Sequence, residues 1–117
     1  LAVIRDRLPD DVLVLPAHNR PFYGLHARLT ALIDGHERNL RDLHALCVEP
    51  KRALDVFSVL FSRKINNDLL FMATGESVSH INCLLQRGKL TREVGPDGIA
   101  YYRQTDAHPT RRVKAAE

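Results

Sequence analysis

The stretch KLTREVGPDGIAYYR, from Lys89 to Arg103, decides which fold the sequence predicts. It contains two short runs with β-branched and aromatic residues, KLTREV and IAYYR. The turn sequence GPDG, residues 95–98, separates them, and such a cluster between two strand-like runs is typical of a tight turn. The stretch therefore predicts an antiparallel β-hairpin near the end of the chain.

Helical patterns precede the hairpin. The first runs from Gly24 to about Val48, where apolar residues recur every three or four positions and so share one stripe of a long helix. The members of that stripe are Leu25, Leu29, Leu32, Ile33, Leu40, Leu43 and Cys47. Pro50 ends this helix and precedes a second one, Lys51 to Phe61. The predicted inner face of the second helix is Leu54, Phe57, Val59, Leu60 and Phe61.

A third helix is predicted from about Asp68, as N-cap, to Gln86, with Gly88 in its C-cap region. Gly75 costs about 1 kcal/mol relative to alanine inside a helix, so the pattern allows a kink or a break there. Three helices followed by a hairpin is the element order of a winged-helix domain. The predicted fold is therefore mainly α with a small β-hairpin (α+β), winged-helix-like over residues 24–105, with a polar tail over 106–117.

The stretch VLVLPAHNRPF, residues 12–22, precedes the winged-helix pattern and begins with a strand-like run. Val12 to Leu15 is an unbroken apolar run, which predicts a strand covered on both faces, and the preceding LAVIRDRL predicts the end of a helix. No further strand-like run follows until the hairpin, so we expect residues 1–23 to be a remnant of a larger sheet domain. Exposed apolar side chains and unpaired backbone would favour self-association through residues 12–15.

His18 follows this strand and lies between Pro16 and Pro21. Ligand sites gather at the carboxyl ends of parallel strands, and imidazole is the commonest zinc ligand. A zinc site needs several protein ligands, however, and a loop histidine at the protein surface is the alternative.

The other histidines form no metal motif. His26, His36 and His44 on the first helix are separated by ten and eight residues, which excludes an i, i+4 pair. His36 falls in the apolar stripe and either packs at the core boundary or contacts a substrate or a larger molecule; His80 is either a solvated surface residue or a functional contact. With Tyr23 these two are candidates for a substrate cleft or an interface. The spacings predict no catalytic set, and none is assigned.

Composition narrows the classes of function. The chain is 44% hydrophobic and 26% charged, has no apolar run that could span a membrane and has no signal peptide, so a cytoplasmic location is the default. Cys47 and Cys83 do not have the spacing of a zinc ribbon or a disulfide framework. The net charge of +3 permits an anionic partner but is common among proteins that do not bind nucleic acid, so it does not indicate one.

Basic residues cluster where a DNA-binding winged helix would contact phosphates, at Arg87, Lys89, Arg92, Arg103, Arg111 and Arg112. The expected exposed face of the third helix offers Glu76, Ser79, Asn82 and Gln86 instead of base-reading cations. The sequence therefore disfavours nucleic-acid binding.

The order of these features resembles a known family. VLVLPAHNRPF is similar to the last strand and loop of metallo-β-lactamase-fold hydrolases, where a histidine of a P-x-H segment completes a two-metal zinc site. HERNLRDL from His36, ATGESVSHINCLLQRGKL from Ala73 and the hairpin to Tyr102 resemble the winged-helix domain that some of these hydrolases carry at the C-terminus. The resemblance implies that His18 is a zinc ligand and that His80 faces the cleft or the domain interface.

The same resemblance implies an incomplete active site. The H-x-H-x-D-H run that provides most metal ligands in the family does not occur in the sequence, which also starts in mid-pattern and has Met72 as its single methionine. We therefore expect a part of a longer hydrolase that holds no cofactor and catalyses nothing alone, with two zinc ions, a small-molecule substrate and the missing domain in the parent. Two positions depart from patterns that are common in the family. The chain has His36-Glu37 where the family often has His-Arg, and Pro16-Ala17-His18-Asn19 where it often has P-G-H-G. The alternative is a free-standing winged-helix module that binds nucleic acid or protein.

Overall fold

Most of the regular structure is helical in residues 1–105, the part of the chain that the computed structural model describes. Its elements in chain order are α1 (Ala2–Arg7), α2 (Leu25–Leu46), a 3-10 turn (Ala53–Val56), α3 (Phe57–Leu60), α4 (Leu70–Gln86), β1 (Leu90–Val94) and β2 (Ala100–Gln104). The two strands form one antiparallel sheet, which confirms the predicted α+β class. The predicted polar tail, with Arg111 and Arg112, lies outside the described residues.

The chain divides into two compact units, and the division falls within α2. The first unit is Leu1–Arg38 and the second begins at Asn39. The domain boundaries expected near residues 23 and 105 stay predictions. None of the helices within residues 1–105 combines the length and the apolar character that crossing a membrane requires.

The core of the second unit is built from the end of α2, from α4, and from single residues of the 3-10 turn and β1. Its buried members are Leu40, Leu43, Cys47, Val56, Ile81, Leu84 and Leu90. The α2 and α4 members are spaced by three or four residues, so each helix turns one apolar stripe inward. The stripe predicted for the C-terminal half of α2 is thereby confirmed.

The segment after α2 is not the continuous helix predicted for residues 51–61. Lys51 instead exchanges two backbone hydrogen bonds with Tyr102, at 2.9 and 2.7 Å, before the 3-10 turn begins. The tighter turn shifts the phase of the side chains, so Val56 is buried at 1% exposure whereas Leu54 is 50% exposed. The predicted inner position of Leu54 was therefore wrong.

Helix α4 has Leu69 as its N-cap, one residue after the predicted N-cap Asp68, and it has no break. Asn66, not Asp68, supplies the side-chain acceptor at its start, because Asn66 Oδ1 accepts a hydrogen bond from the backbone N–H of Leu69 at 3.1 Å. The helix runs through Gly75 without interruption, so the break that the sequence allowed there does not occur.

The end of α4 was predicted correctly. Gly88 adopts φ +70°, the left-handed conformation that glycine accepts without a steric penalty. The N–H groups of Gly88 and Lys89 donate to the carbonyls of Leu85 and Leu84 at 3.0 and 2.8 Å, which is a Schellman motif. This motif turns the chain directly into β1.

The hairpin forms as predicted. Leu90 pairs with Gln104 and Val94 with Ala100, and the connecting residues include Gly98 at φ +79°. Asp97 Oδ1 accepts a hydrogen bond from the backbone N–H of Ile99 at 2.9 Å, which fixes the turn.

The first unit contains α1, the start of α2 and the segment between them. The predicted strand Val12–Leu15 is reduced to one antiparallel bridge, in which Val14 and Phe22 exchange backbone hydrogen bonds of 2.8 and 3.1 Å. It is also not covered on both faces, since Leu13 is 51% and Leu15 74% exposed. The backbone N–H and C=O of Val14 are thus satisfied by Phe22, eight residues later, and not by a neighbouring strand.

Removing a core side chain from the second unit tests this packing. Leu43 is fully buried, so we expect Leu43→Ala to lower the free energy of unfolding by about 2–5 kcal/mol. The matched control Leu54→Ala acts on a half-exposed leucine of the same unit and is expected to cost less than about 1 kcal/mol. Urea denaturation followed by circular dichroism measures both, and equal losses would contradict the described core.

The 3-10 turn provides a pH-dependent test. Asp55 accepts hydrogen bonds from the Arg52 backbone N–H at 2.9 Å and from its guanidinium at 3.1 and 2.8 Å. The hydrogen bond from the Arg52 side chain is the main reason that the pKa of Asp55 lies below its ordinary value. A carboxyl whose folded pKa is depressed stabilises the fold above its unfolded pKa, and this contribution disappears as the pH falls through the folded pKa.

We therefore expect Asp55→Asn to be less stable than the parent chain by about 1 kcal/mol at neutral pH, because the group is partly exposed. The difference is expected to shrink as the pH falls below about 4, when the parent carboxyl begins to protonate. Thermal unfolding over a pH series measures it, with the exposed Asp68→Asn as control. A difference that stays constant down to about pH 2 would show that the charge of Asp55 is not involved.

Candidate functional site

The bridge between Val14 and Phe22 closes a short loop, residues 15–21, at whose middle His18 lies. His18 is exposed, so its imidazole is accessible to a ligand. Asn19 follows at φ +72°, the left-handed conformation that asparagine tolerates better than most residues. The two backbone hydrogen bonds of the bridge thus hold the ends of the loop, and the loop presents His18 outward.

The loop and the first turn of α2 enclose an open pocket of about 280 Å³ in the first unit. The residues that line it are Pro16, His18, Asn19, Arg20, Phe22 and Arg28. Two of these six side chains are guanidinium groups and none is a carboxylate. The pocket therefore combines an imidazole with a positive potential.

His18 does not form a metal site with other residues of the described chain. Within residues 1–105 no group of three or more histidine, cysteine, aspartate or glutamate side chains could hold a metal ion. Zinc binds through several such ligands, so the donors present do not fit the metal that the resemblance implies. Any metal role of His18 needs ligands from elsewhere.

The three candidates for a cleft or an interface lie in different environments. Tyr23 is 69% exposed directly after the bridge, and His36 is an exposed residue of α2 in the first unit. His80 is 8% exposed in the second unit, and its Nδ1 hydrogen-bonds the backbone carbonyl of Glu76 at 2.8 Å. Of the two alternatives for His80, a solvated surface residue is contradicted by this burial, and the functional roles of all three residues stay predictions.

The second unit matches a known family. The sequence model of a protein family, the metallo-beta-lactamase-like C-terminal domain, matches residues 40–105, which is more than half of the chain. The chain belongs to this family. The resemblance found in the sequence is confirmed by this match, and the matched region contains the core of the second unit and the whole hairpin.

Two solved structures are similar to this metallo-beta-lactamase-like chain. A beta-lactamase domain protein from Burkholderia ambifaria is 31% identical with a TM-score of 0.81, over 86% of this chain and 30% of that chain. A metallo-beta-lactamase family protein from Thermus thermophilus is 29% identical with a TM-score of 0.59, over 74% of this chain and 26% of that chain. The chain thus spans less than a third of each structure. No curated protein gives a significant match.

The similarity to the Burkholderia structure extends beyond the family domain. Because residues 40–117 amount to about two thirds of the chain, a match over 86% of it includes part of the first unit. Residues before the C-terminal domain therefore share their fold with the larger relative.

Two histidines to which the sequence assigned no role form hydrogen bonds with residues far along the chain. His26 Nε2 hydrogen-bonds the carbonyl of Leu8 at 2.6 Å, while the His26 backbone N–H donates to Asp10 Oδ1 at 2.7 Å. In the second unit the side-chain amide of Gln104 donates to His44 Nδ1 at 3.2 Å and to the His44 carbonyl at 3.1 Å. The partners are remote in sequence, so spacing gave no signal for either contact.

Sequence reasoning also missed Arg20 and Arg28 as members of a site. The cations that the sequence pattern singled out lie near α4 and the hairpin, and Arg87, Lys89, Arg92 and Arg103 are exposed there. The available signal was that Arg20 lies two residues after His18 in the same loop.

The two cysteines differ in their surroundings. Both are free thiols, and Cys47 is fully buried whereas Cys83 is partly exposed. Burial raises the pKa of the Cys47 thiol, and the nearby charge of Lys51 opposes this shift only in part. Cys47 is consequently a protonated core residue and not a nucleophile at neutral pH.

Alkylation distinguishes the two thiols. In the folded chain we expect iodoacetamide to modify Cys83 at least about tenfold faster than Cys47, because reaction needs an accessible thiolate. Mass spectrometry of peptides from timed samples measures the two rates. In urea the rates are expected to converge, and equal rates in the folded chain would contradict the burial of Cys47.

Proposed function

We propose that this chain is the C-terminal part of a metal-dependent hydrolase with the metallo-β-lactamase fold. Loop 15–21 provides His18 as one ligand of a metal centre whose other ligands belong to a preceding domain of the same protein. The second unit, as a winged-helix-like cap, covers one side of the substrate cleft. The chain alone is inactive, since it carries one of the required ligands.

The observation that carries the proposal is the outward presentation of His18 on a loop closed by backbone pairing. A metal ligand must be accessible and must also be held in a fixed position. A short loop closed by backbone hydrogen bonds restricts the backbone of His18 in this way. The membership of residues 40–105 in the family and the extension of the structural similarity into the first unit give further support.

The exposed residues beside the loop fit the same proposal. Leu13, Leu15 and Tyr23 are each more than half exposed, and a preceding domain would cover such apolar side chains. Self-association through residues 12–15 is the alternative fate of this surface and stays a prediction. Two free cysteines suit a reducing compartment, so a cytoplasmic location forms part of the proposal.

The alternative of a nucleic-acid-binding winged helix has less support. The residues that α4 exposes include Glu76, Ser79, Asn82 and Gln86, and a carboxylate on this face would repel phosphates. The exposed cations around the hairpin are compatible with many anionic partners and single out none.

Metal analysis tests the role of His18. We expect the 117-residue chain to hold no zinc after dialysis, and the full-length gene product to hold two zinc ions and to hydrolyse ester or thioester substrates. In the full-length protein His18→Ala is expected to remove about one zinc ion and to lower kcat/KM about 100-fold or more.

The matched control is Ala17→Ser in the full-length protein. Ala17 is exposed in the same loop but does not line the pocket, so zinc content and activity are expected to stay within about twofold of the parent. The proposal is wrong if His18→Ala retains both zinc ions, or if the short chain alone hydrolyses these substrates.

A further inference from the structure

The pocket beside His18 contains two cations that the proposed metal site does not use. Arg20 lies in the loop and Arg28 in the first turn of α2, and both are exposed. Neither guanidinium has a hydrogen bond or an ion pair within the described residues 1–105. By contrast, Arg5 and Arg52 each pair with a neighbouring aspartate.

Unpaired cations that share one concave pocket attract an anion. A guanidinium presents several N–H donors in a plane and matches the oxygens of a carboxylate or a phosphate. Two such groups around one cavity add their potentials, and no side chain that lines this pocket is acidic. The first turn of α2 contains no acidic residue either, so the positive end of the helix dipole reinforces the same potential.

The remaining walls indicate what is attached to the anion. Pro16 and Phe22 contribute apolar surface, and Asn19 contributes an amide. The volume of about 280 Å³ exceeds that of a bare inorganic ion and accommodates a small group beside it. The pocket thus suits an anionic group carried on an aryl or acyl body.

We propose that Arg20 and Arg28 form an anion subsite that holds a carboxylate or phosphate group of a ligand next to His18. That the ligand is the substrate of the hydrolase rests on the function proposed above. In that role the two arginines select substrates with an anionic group near the bond that is cleaved, and they act as binding residues.

Benzoate and phenyl phosphate are the probes, because they present the two candidate anions on the same aromatic ring. Titration of the isotope-labelled 117-residue chain, followed by the amide signals in heteronuclear NMR spectra, is expected to give millimolar binding with shifts concentrated in residues 16–28. The probe that binds more tightly identifies the source of the anion. Absence of binding by both probes overturns the subsite.

Three variants that each remove one positive charge show whether the probes bind in the pocket. Arg20→Gln and Arg28→Gln are each expected to raise Kd about fivefold, because each removes a charge-assisted hydrogen bond in an open pocket. Arg41→Gln removes one exposed positive charge from α2 outside the pocket and is expected to change Kd less than twofold. Unchanged spectra apart from local shifts show that each variant is folded.

Two results would overturn the assignment of the subsite. Arg41→Gln could weaken binding as much as the pocket variants, which would indicate a diffuse effect of net charge. Alternatively Arg20→Gln and Arg28→Gln could leave Kd unchanged. The experiment needs no metal, so anion binding at this pocket together with a full-length protein that ignores His18→Ala would retain the subsite and overturn the hydrolase.

Discussion

Backbone pairing between β2 and the segment after α2 holds the second unit together. Tyr102 exchanges two hydrogen bonds with Lys51, and the N–H of Gln104 donates to the carbonyl of Cys47 at 2.6 Å. These bonds place the hairpin beside the end of α2, so that Leu90 reaches the core formed by Leu43 and Ile81. A two-stranded hairpin is marginal in water by itself and gains its stability from such packing. Because the backbone N–H and C=O of Lys51 are both paired with Tyr102, residue 51 does not belong to a helix.

The first unit depends on a smaller number of contacts. One bridge between Val14 and Phe22 closes the loop of His18, and hydrogen bonds of the Arg5, Asp10 and His26 side chains join α1 and the turn after it to α2. Leu13, Leu15 and Tyr23 beside this loop are each more than half exposed. Their exposure agrees with the proposal that the first unit belongs to a larger domain, in which neighbouring strands would also satisfy the backbone groups that one bridge leaves unpaired.

The candidate site was predictable only in its chemistry. A histidine between two prolines after an apolar run was a sufficient reason to examine His18, and the resemblance supplied a role for it. The pocket could not be derived in this way, because Arg28 joins the loop through the path of the chain into α2 and not through any sequence motif. The sequence also left open whether His80 is solvated, and only the structure shows that it is buried.

The sequence by itself determined the elements whose signals are local. The periodic stripes of α2 and α4, the glycine that ends α4 and the turn of the hairpin follow from residue spacing and backbone conformation, so they need no distant partner. Only the tertiary structure decided that Lys51 forms a bridge with Tyr102 ahead of the 3-10 turn and α3, and that Val14 pairs with Phe22. In these segments local preferences are weak, and hydrogen bonds to residues far along the chain outweigh them.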